Sequence, residues 1–425
     1  MTIRKRRDQY MDNRYSVDIL PVRRQQEIMD EIKLKRLETL LPSLMEETGI
    51  ELWLILTGEQ NEDPVYRSLV PSSIMNASRT TCLAFVKEKD GTFNRYSINK
   101  PNGALARFYK QLKFDNNLQW EYIADFIREK DPKTIGINIS KDSSLCSGLS
   151  AAFYLRLVEE LGDLAGRLVD ANDLCVRWIE TRIDEELAMY PSIYRLTTEI
   201  MSRAFSREVI TPGVTTTQEV EWWIIEECAR LGIPLSFRPD VNFQRPGQSG
   251  MATGTIRCGD LLHYDHGIVY LGLATDHQRL GYVLRPGETE APAGLTEGCR
   301  VGREFADMTG REMLFGRTGN EVFSAAKQAA ENAGIAATLY THPLGPFVHS
   351  AGPIIGLYDK QEFIPGAGEN KLNANTVYAL EYNVACDVPE WDGQKVWFYL
   401  EESVLLRESG RIDYLGAEHG QLMLI

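Results

Sequence analysis

Four carboxylates, Asp265, Asp276, Glu381 and Glu401, lie among apolar residues at mirror positions of two strand-like stretches. The first stretch runs from Gly259 to Asp276, with short apolar runs on either side of Tyr270-Leu271-Gly272. That is the pattern of a β-hairpin. Asp265 and Asp276 are equidistant from the midpoint of Tyr270 and Leu271. A tight turn there sets them opposite one another on antiparallel strands, with Cβ atoms roughly 5 Å apart, where like charges repel. A cation between them converts repulsion into attraction. Taken alone, the stretch reads equally well as a solvated hairpin carrying two surface acids.

The second stretch joins the runs Thr376–Ala385 and Lys395–Leu406 through Asp387-Val-Pro-Glu-Trp-Asp-Gly393, which has turn chemistry. Glu381 and Glu401 are equidistant from Trp391. Both sit among apolar neighbours, where an unpaired carboxylate is costly. Two facing pairs in one region favour a shared cation site over coincidence. All six histidines fall between residues 263 and 419. Two of them, His342 and His349, occur in Thr341-His-Pro-Leu-Gly-Pro-Phe-Val-His-Ser-Ala-Gly352, where prolines and glycines exclude a helix. A neutral imidazole beside carboxylates is a common metal ligand. His263 shares a strand face with Asp265, so it either enters the site or is a satisfied core histidine.

These residues need a scaffold. With 425 residues the chain has room for two domains. Its 43% apolar and 25% charged content is that of a globular protein. The net charge of −14 argues against nucleic acid or an anionic membrane as partner. No apolar run approaches the ~18 residues of a membrane span. The basic N-terminus lacks the apolar segment of a secretory signal. Seven scattered cysteines without a Cys-x-x-Cys pair suit reduced thiols, and the expected location is the cytoplasm.

Residues 1–24 read as a polar arm or loose helix. Gln25 to Leu41 has helical apolar spacing and is expected to stop at Pro42. Strands are expected at Leu52–Thr57, Thr81–Val86, Thr92–Ile98 and Thr134–Ile139, with Asp90-Gly91 as a hairpin turn. Helices are expected over Trp120–Glu129 and Leu149–Leu161. This alternation indicates an α/β domain over 1–175, with a linker near Asp170–Asp173 and a second domain over 176–425. In the second domain, Pro191 is expected to interrupt or restart a helix. Thr216 and Glu219 have capping-box spacing. Residues 235–258 read as loop, and Asn320–Asn332 reads as a helix ending at Gly334.

The order Asp, Asp, His, His, Glu, Glu in "HYDHG", "ATDHQR", "THPLG", "FVHSAG", "ALEYN" and "YLEES" resembles the pita-bread metallopeptidases. That family includes methionine aminopeptidase, Xaa-Pro aminopeptidase (aminopeptidase P), prolidase and the metal-free creatinase. The resemblance covers about residues 180–425, and the N-terminal half resembles the α/β domain of the creatinase and aminopeptidase P branch. It implies an α+β pita-bread catalytic domain. It also implies two divalent ions on Asp265, Asp276, His342, Glu381 and Glu401, bridged by Asp276 and Glu401. Mostly oxygen ligands with one imidazole suit manganese, with cobalt, zinc or iron as alternatives. Glu381 would move the proton and His349 would stabilise the tetrahedral intermediate.

The resemblance further implies a cytoplasmic hydrolase, an aminopeptidase or dipeptidase on short peptides with Xaa-Pro substrates included, acting as a homodimer. The sequence departs from the family's substrate residues. No histidine precedes His263, Glu381 is followed by Tyr-Asn instead of Pro-Gly, and Tyr399 stands where the aminopeptidase P branch has arginine. The Phe243–Gly250 segment lies at the spacing of the missing histidine. Gln244, Arg245 or Gln248 is therefore a candidate substrate donor, with Arg245 able to clamp a carboxylate, unless the segment is an ordinary surface loop. These departures keep two alternatives open: a non-peptidase enzyme on the same fold, either a creatinase-like C–N hydrolase or a lyase, and a binding protein without turnover.

Overall fold

The computed structural model describes residues 14–416 and 421–425. His419 and the first thirteen residues of the expected arm therefore lie outside the described residues. The chain divides into two units, Val22–Ile179 and a second made of the chain up to Pro21 with Glu180–Ile425. Residues 14–21 thus run with the C-terminal unit and not with the α/β domain expected over 1–175. Specific bonds hold them there. The Tyr15 hydroxyl donates to Glu227 at 2.6 Å, and the Leu20 amide donates to the Tyr270 hydroxyl at 2.9 Å.

The N-terminal unit is built on a six-stranded mixed sheet. Its strands are β1 (Leu52–Gly58), β2 (Thr80–Lys87), β3 (Phe93–Ser97), β4 (Lys110–Gln111), β5 (Ile135–Ile137) and β6 (Leu168–Asp170). Asp90-Gly91 turns β2 into β3 as expected, with Gly91 at a φ of 84°. The Gln119–Lys130 and Ala151–Leu161 helices pack on the sheet through Ile123, Ile127, Leu157 and Leu161. Pro42 does not stop the first helix. A π turn over Arg36–Leu40 resets the chain, and Pro42 then falls in the first turn of a new helix, Leu41–Glu47. Its missing N–H has no partner to lose there.

The C-terminal unit holds two five-stranded sheets. One contains β7 (Asp240–Arg245), β8 (Gln248–Ala252), β9 (Leu261–His266), β12 (His277–Tyr282) and β18 (Met423–Leu424). A separate short hairpin, β10 (Val269–Tyr270) and β11 (Leu273–Ala274), carries the turn between β9 and β12. The other sheet contains β13 (Ala336–Leu339), β14 (His342–Leu344), β15 (Thr376–Val388), β16 (Gln394–Leu406) and β17 (Ile412–Tyr414). The expected loop at 235–258 is therefore a hairpin in large part. Its Pro246-Gly247 pair makes a single turn, with Gly247 at a φ of 76°.

Pro191 likewise interrupts nothing, because the helix runs unbroken from Asp184 to Ala204. Burial of Tyr190, Ile193, Leu196 and Ile200 along it outweighs the one missing hydrogen bond. Thr216 and Glu219 form the expected capping box, with Oγ1 accepting the Glu219 amide at 3.2 Å and the carboxylate accepting the Thr216 amide at 2.7 Å.

A long helix, Ala293–Glu312, went unread in the sequence. Its buried face is interrupted by Gly298, Gly302 and Gly310, which weakens the apolar pattern. Gly298 is required by packing, since a methyl group there would run into the Phe398 ring on β16. Gly298→Ala is therefore expected to overpack this core by about 1–3 kcal/mol. Calorimetry should find the thermal midpoint lowered by roughly 5 °C. An unchanged midpoint would mean that the helix and β16 do not meet at this position.

Candidate metal centre

The two sheets bring the four carboxylates and His342 together. Glu381 on β15 and Glu401 on β16 are direct register partners, as expected. Asp265 and Asp276 are not. The β10–β11 turn is centred on Leu271-Gly272, both at positive φ (53° and 79°), and this shifts the register. Asp265 on β9 consequently faces Gln278 on β12. Asp276 lies two residues before Gln278, so it keeps the same face and meets Asp265 diagonally. His342 on β14 pairs with Ala379, two residues before Glu381, and shares that face.

Three overlapping groups of potential ligand atoms result, each within 4.8 Å of one another: Asp265, Asp276 and Glu401; His342, Glu381 and Glu401; Asp276, His342 and His349. Asp276, Glu401 and His342 each belong to two of them. Burial, reinforced by the neighbouring acids, holds the carboxyls of Asp265, Asp276 and Glu401 well above the usual carboxylate range. Glu401 is fully buried, and neither of its oxygens has a hydrogen-bond partner.

The imidazole of His342 supplies a sharper test of fit. Its Nδ1 lies 3.2 Å from the Pro343 carbonyl, which only accepts, so Nδ1 carries the proton. Nε2 is buried and has no hydrogen-bond partner. It points at the carboxylates of Asp276 and Glu381, 3.6 Å away from each. With Nδ1 turned to the carbonyl, Nε2 is the nitrogen placed to share a cation with those carboxylates. A backbone carbonyl fixing the far nitrogen is the usual arrangement behind a metal-bound histidine. The residues present therefore fit a metal site.

Beside the cluster lies a cavity of about 620 Å³. His349, His263 and Tyr399 all line it. The His349 ring stands edge-on to His342 with centroids 4.6 Å apart, and burial lowers its pKa, with His342 adding to the shift. His263 lies 5.3 Å from the Tyr399 ring, and burial pushes it down to about 4. Three residues with no spacing signature also line the cavity: Asn242, Gln278 and Tyr340. Gln278 Nε2 donates to Glu381, and its Oε1 meets His263 Nε2 at 3.0 Å. Alternation along β12 carries Gln278 to the face of Asp276, and this is the signal that could have found it. His266 and His277 are buried elsewhere, the first near Cys228 and the second against Tyr194.

The expected substrate donors on the β7–β8 hairpin are not brought into the cavity. Arg245 holds Asp260 bidentately, at 2.7 and 2.6 Å, and lies over the Phe243 ring. Gln244 is buried and makes a two-way bond with the backbone of Trp397. Gln248 is exposed and its carbonyl accepts from Gln394. Arg245→Ala should therefore leave the KM of any carboxylate-bearing substrate unchanged. It should instead lower stability by about 1–3 kcal/mol, because Asp260 is left buried and unpaired. A denaturant titration beside a KM measurement separates the two outcomes.

Residues 192–408 match the family model described as metallopeptidase family M24. No curated protein sequence matches the chain. Solved structures resemble its fold over nearly their whole length. An X-Pro aminopeptidase from Thermotoga maritima superposes with a TM-score of 0.65 at 15% identity, over 89% of this chain and 99% of its own. An Xaa-Pro dipeptidase from Bacillus anthracis gives 0.60 at 15%, over 92% and 99%. The dipeptidase PepE from Mycobacterium ulcerans gives 0.63 at 15%, over 93% and 98%.

Proposed function

The chain belongs to metallopeptidase family M24, and from that premise we propose that it is a dinuclear-metal aminopeptidase or dipeptidase acting on short peptides, Xaa-Pro peptides among them. One observation carries the reading: four carboxylates and His342 gather in overlapping groups of ligand atoms, and the Nε2 of His342 is buried there without a hydrogen-bond partner. In this reading Asp265, Asp276, His342, Glu381 and Glu401 hold two ions, manganese being the first to load. Asp276, Glu401 and His342 each belong to two ligand groups, and of the three only the carboxylates, with two oxygens each, would be able to serve both ions. When bound, the ions supply an acidified water and a Lewis acid for the scissile carbonyl.

The protein's own groups do the rest. Glu381 accepts the proton of the attacking water and returns it to the leaving amine. Gln278 steadies that carboxylate by donating to one of its oxygens. His349 donates to the oxyanion of the tetrahedral intermediate. A homodimer belongs to the same reading.

Tyr399 in place of the family arginine, and a cavity without the upstream histidine, favour a second reading: a C–N hydrolase or lyase on the same fold. Manganese-loaded protein incubated with a library of dipeptides and tripeptides decides between them. Release of amino-terminal residues, abolished by a chelator, is expected. Metal bound with no peptide cleaved would rule out the peptidase.

A further inference from the structure

Asp276 and Glu401, the carboxylates able to serve both ions, come from different sheets. Asp276 immediately precedes β12, and Glu401 lies on β16. Among the described residues no backbone ladder joins β12 to β16. Side chains must therefore set the spacing between the two carboxylates. Strand alternation turns Asp276 and Gln278 toward the metal cluster and Arg279 away from it. The same alternation puts Glu401 on the cluster side of β16 and Glu402 behind it. Behind the cluster, Nη1 of Arg279 donates to two backbone carbonyls, that of Gln278 on β12 at 2.9 Å and that of Glu401 on β16. Nη2 donates to Glu402 Oε2 at 2.8 Å and to the Tyr194 hydroxyl at 2.6 Å. A longer contact, 3.4 Å between His277 Nε2 and Ser403 Oγ, runs beside them.

Arg279, Glu402 and Tyr194 are all buried. A buried ion pair is weak support for stability, because desolvation of both charges offsets their attraction. Its Glu402 partner also offsets the guanidinium charge, so the pair is poorly suited to neutralising four carboxylates. Its distinctive property is geometric. One rigid fork grips the backbone of both strands at the level of the ligands, while Glu402 and Tyr194 fix the fork's orientation. We propose that Arg279 is a positioning residue that holds Asp276 and Glu401 at the separation needed to share two ions. This inference rests on the dinuclear-metal reading, and it names a side chain outside the ligand set that keeps the two sheets in alignment.

Two variants test it. Arg279→Lys keeps the charge beside Glu402 but replaces the fork with a single ammonium, which cannot reproduce the grip on both carbonyls. The triple variant Arg279→Met with Glu402→Leu and Tyr194→Phe removes the buried polar cluster and leaves no unpaired charge. Manganese titration should find the second ion bound at least about tenfold more weakly in both variants than in the unmodified protein. At matched manganese occupancy, electron paramagnetic resonance should show exchange-coupled ions in the unmodified protein and largely uncoupled ions in the variants. Melting of each apoprotein reports folding separately. Unchanged affinity and coupling in a folded Arg279→Lys protein or a folded triple variant would overturn the proposal. Loss of the apoprotein fold in both variants would assign the cluster to stability and overturn it equally. No second ion in the unmodified protein would remove the dinuclear reading and this inference with it. Two ions there, held equally well by the variants, would remove this inference alone.

Discussion

Glu401→Ala should lose both metal ions together, and turnover should fall by at least about 10³-fold, the size of several kcal/mol of lost transition-state stabilisation. Glu401 is fully buried, faces Glu381 across the β15–β16 ladder and belongs to two of the three ligand groups. A bridging carboxylate cannot be removed from one ion alone. Asp276, which also belongs to two groups, should behave in the same way on substitution by alanine. A folding defect is separable by its sign. Burial holds the Glu401 carboxyl well above its usual range, so in the apoprotein its ionised form opposes folding at neutral pH. Apo Glu401→Gln should therefore melt no lower than the unmodified apoprotein, whereas the stabilisation that added manganese gives the unmodified protein should vanish. Full metal occupancy in either alanine variant would end the bridging assignment.

His349→Ala should keep both ions and lose about 10²–10³ in kcat, the typical worth of one oxyanion donor. The competing role is visible in the structure, because a ring nitrogen of His349 comes within ligand distance of Asp276 and His342. Exposure argues against it. His349 opens onto the cavity, whereas Asp276 and His342 are buried. Metal analysis of the variant decides: two ions with depressed kcat fits an oxyanion donor, and a lost ion makes His349 a ligand.

The metal cluster was legible in the sequence because carboxylates in apolar strands are conspicuous and strand periodicity is strict. Glu381 and Glu401 pair as their distances from Trp391 imply. The Asp265–Asp276 pairing was displaced because Leu271-Gly272 takes the left-handed turn, yet a register sum shifted by two leaves both residues on one face. The substrate wall was far less legible. Asn242, Gln278 and Tyr340 are neutral residues on or beside strands, and only tertiary pairing carries them to the cavity. Arg245 looked available because its partner Asp260 is distant in sequence, and the strand pairing that joins β7 to β9 brings the two together. Proline and glycine density over 235–258 signalled loop, although a hairpin needs only one turn.

Anomalous diffraction from crystals soaked in manganese tests the central claim most directly. The account predicts two peaks roughly 3.5–4 Å apart, ringed by Asp265, Asp276, His342, Glu381 and Glu401, with none on His263. A single ion, no ion, or an ion held through His349 in place of Glu401 would contradict it.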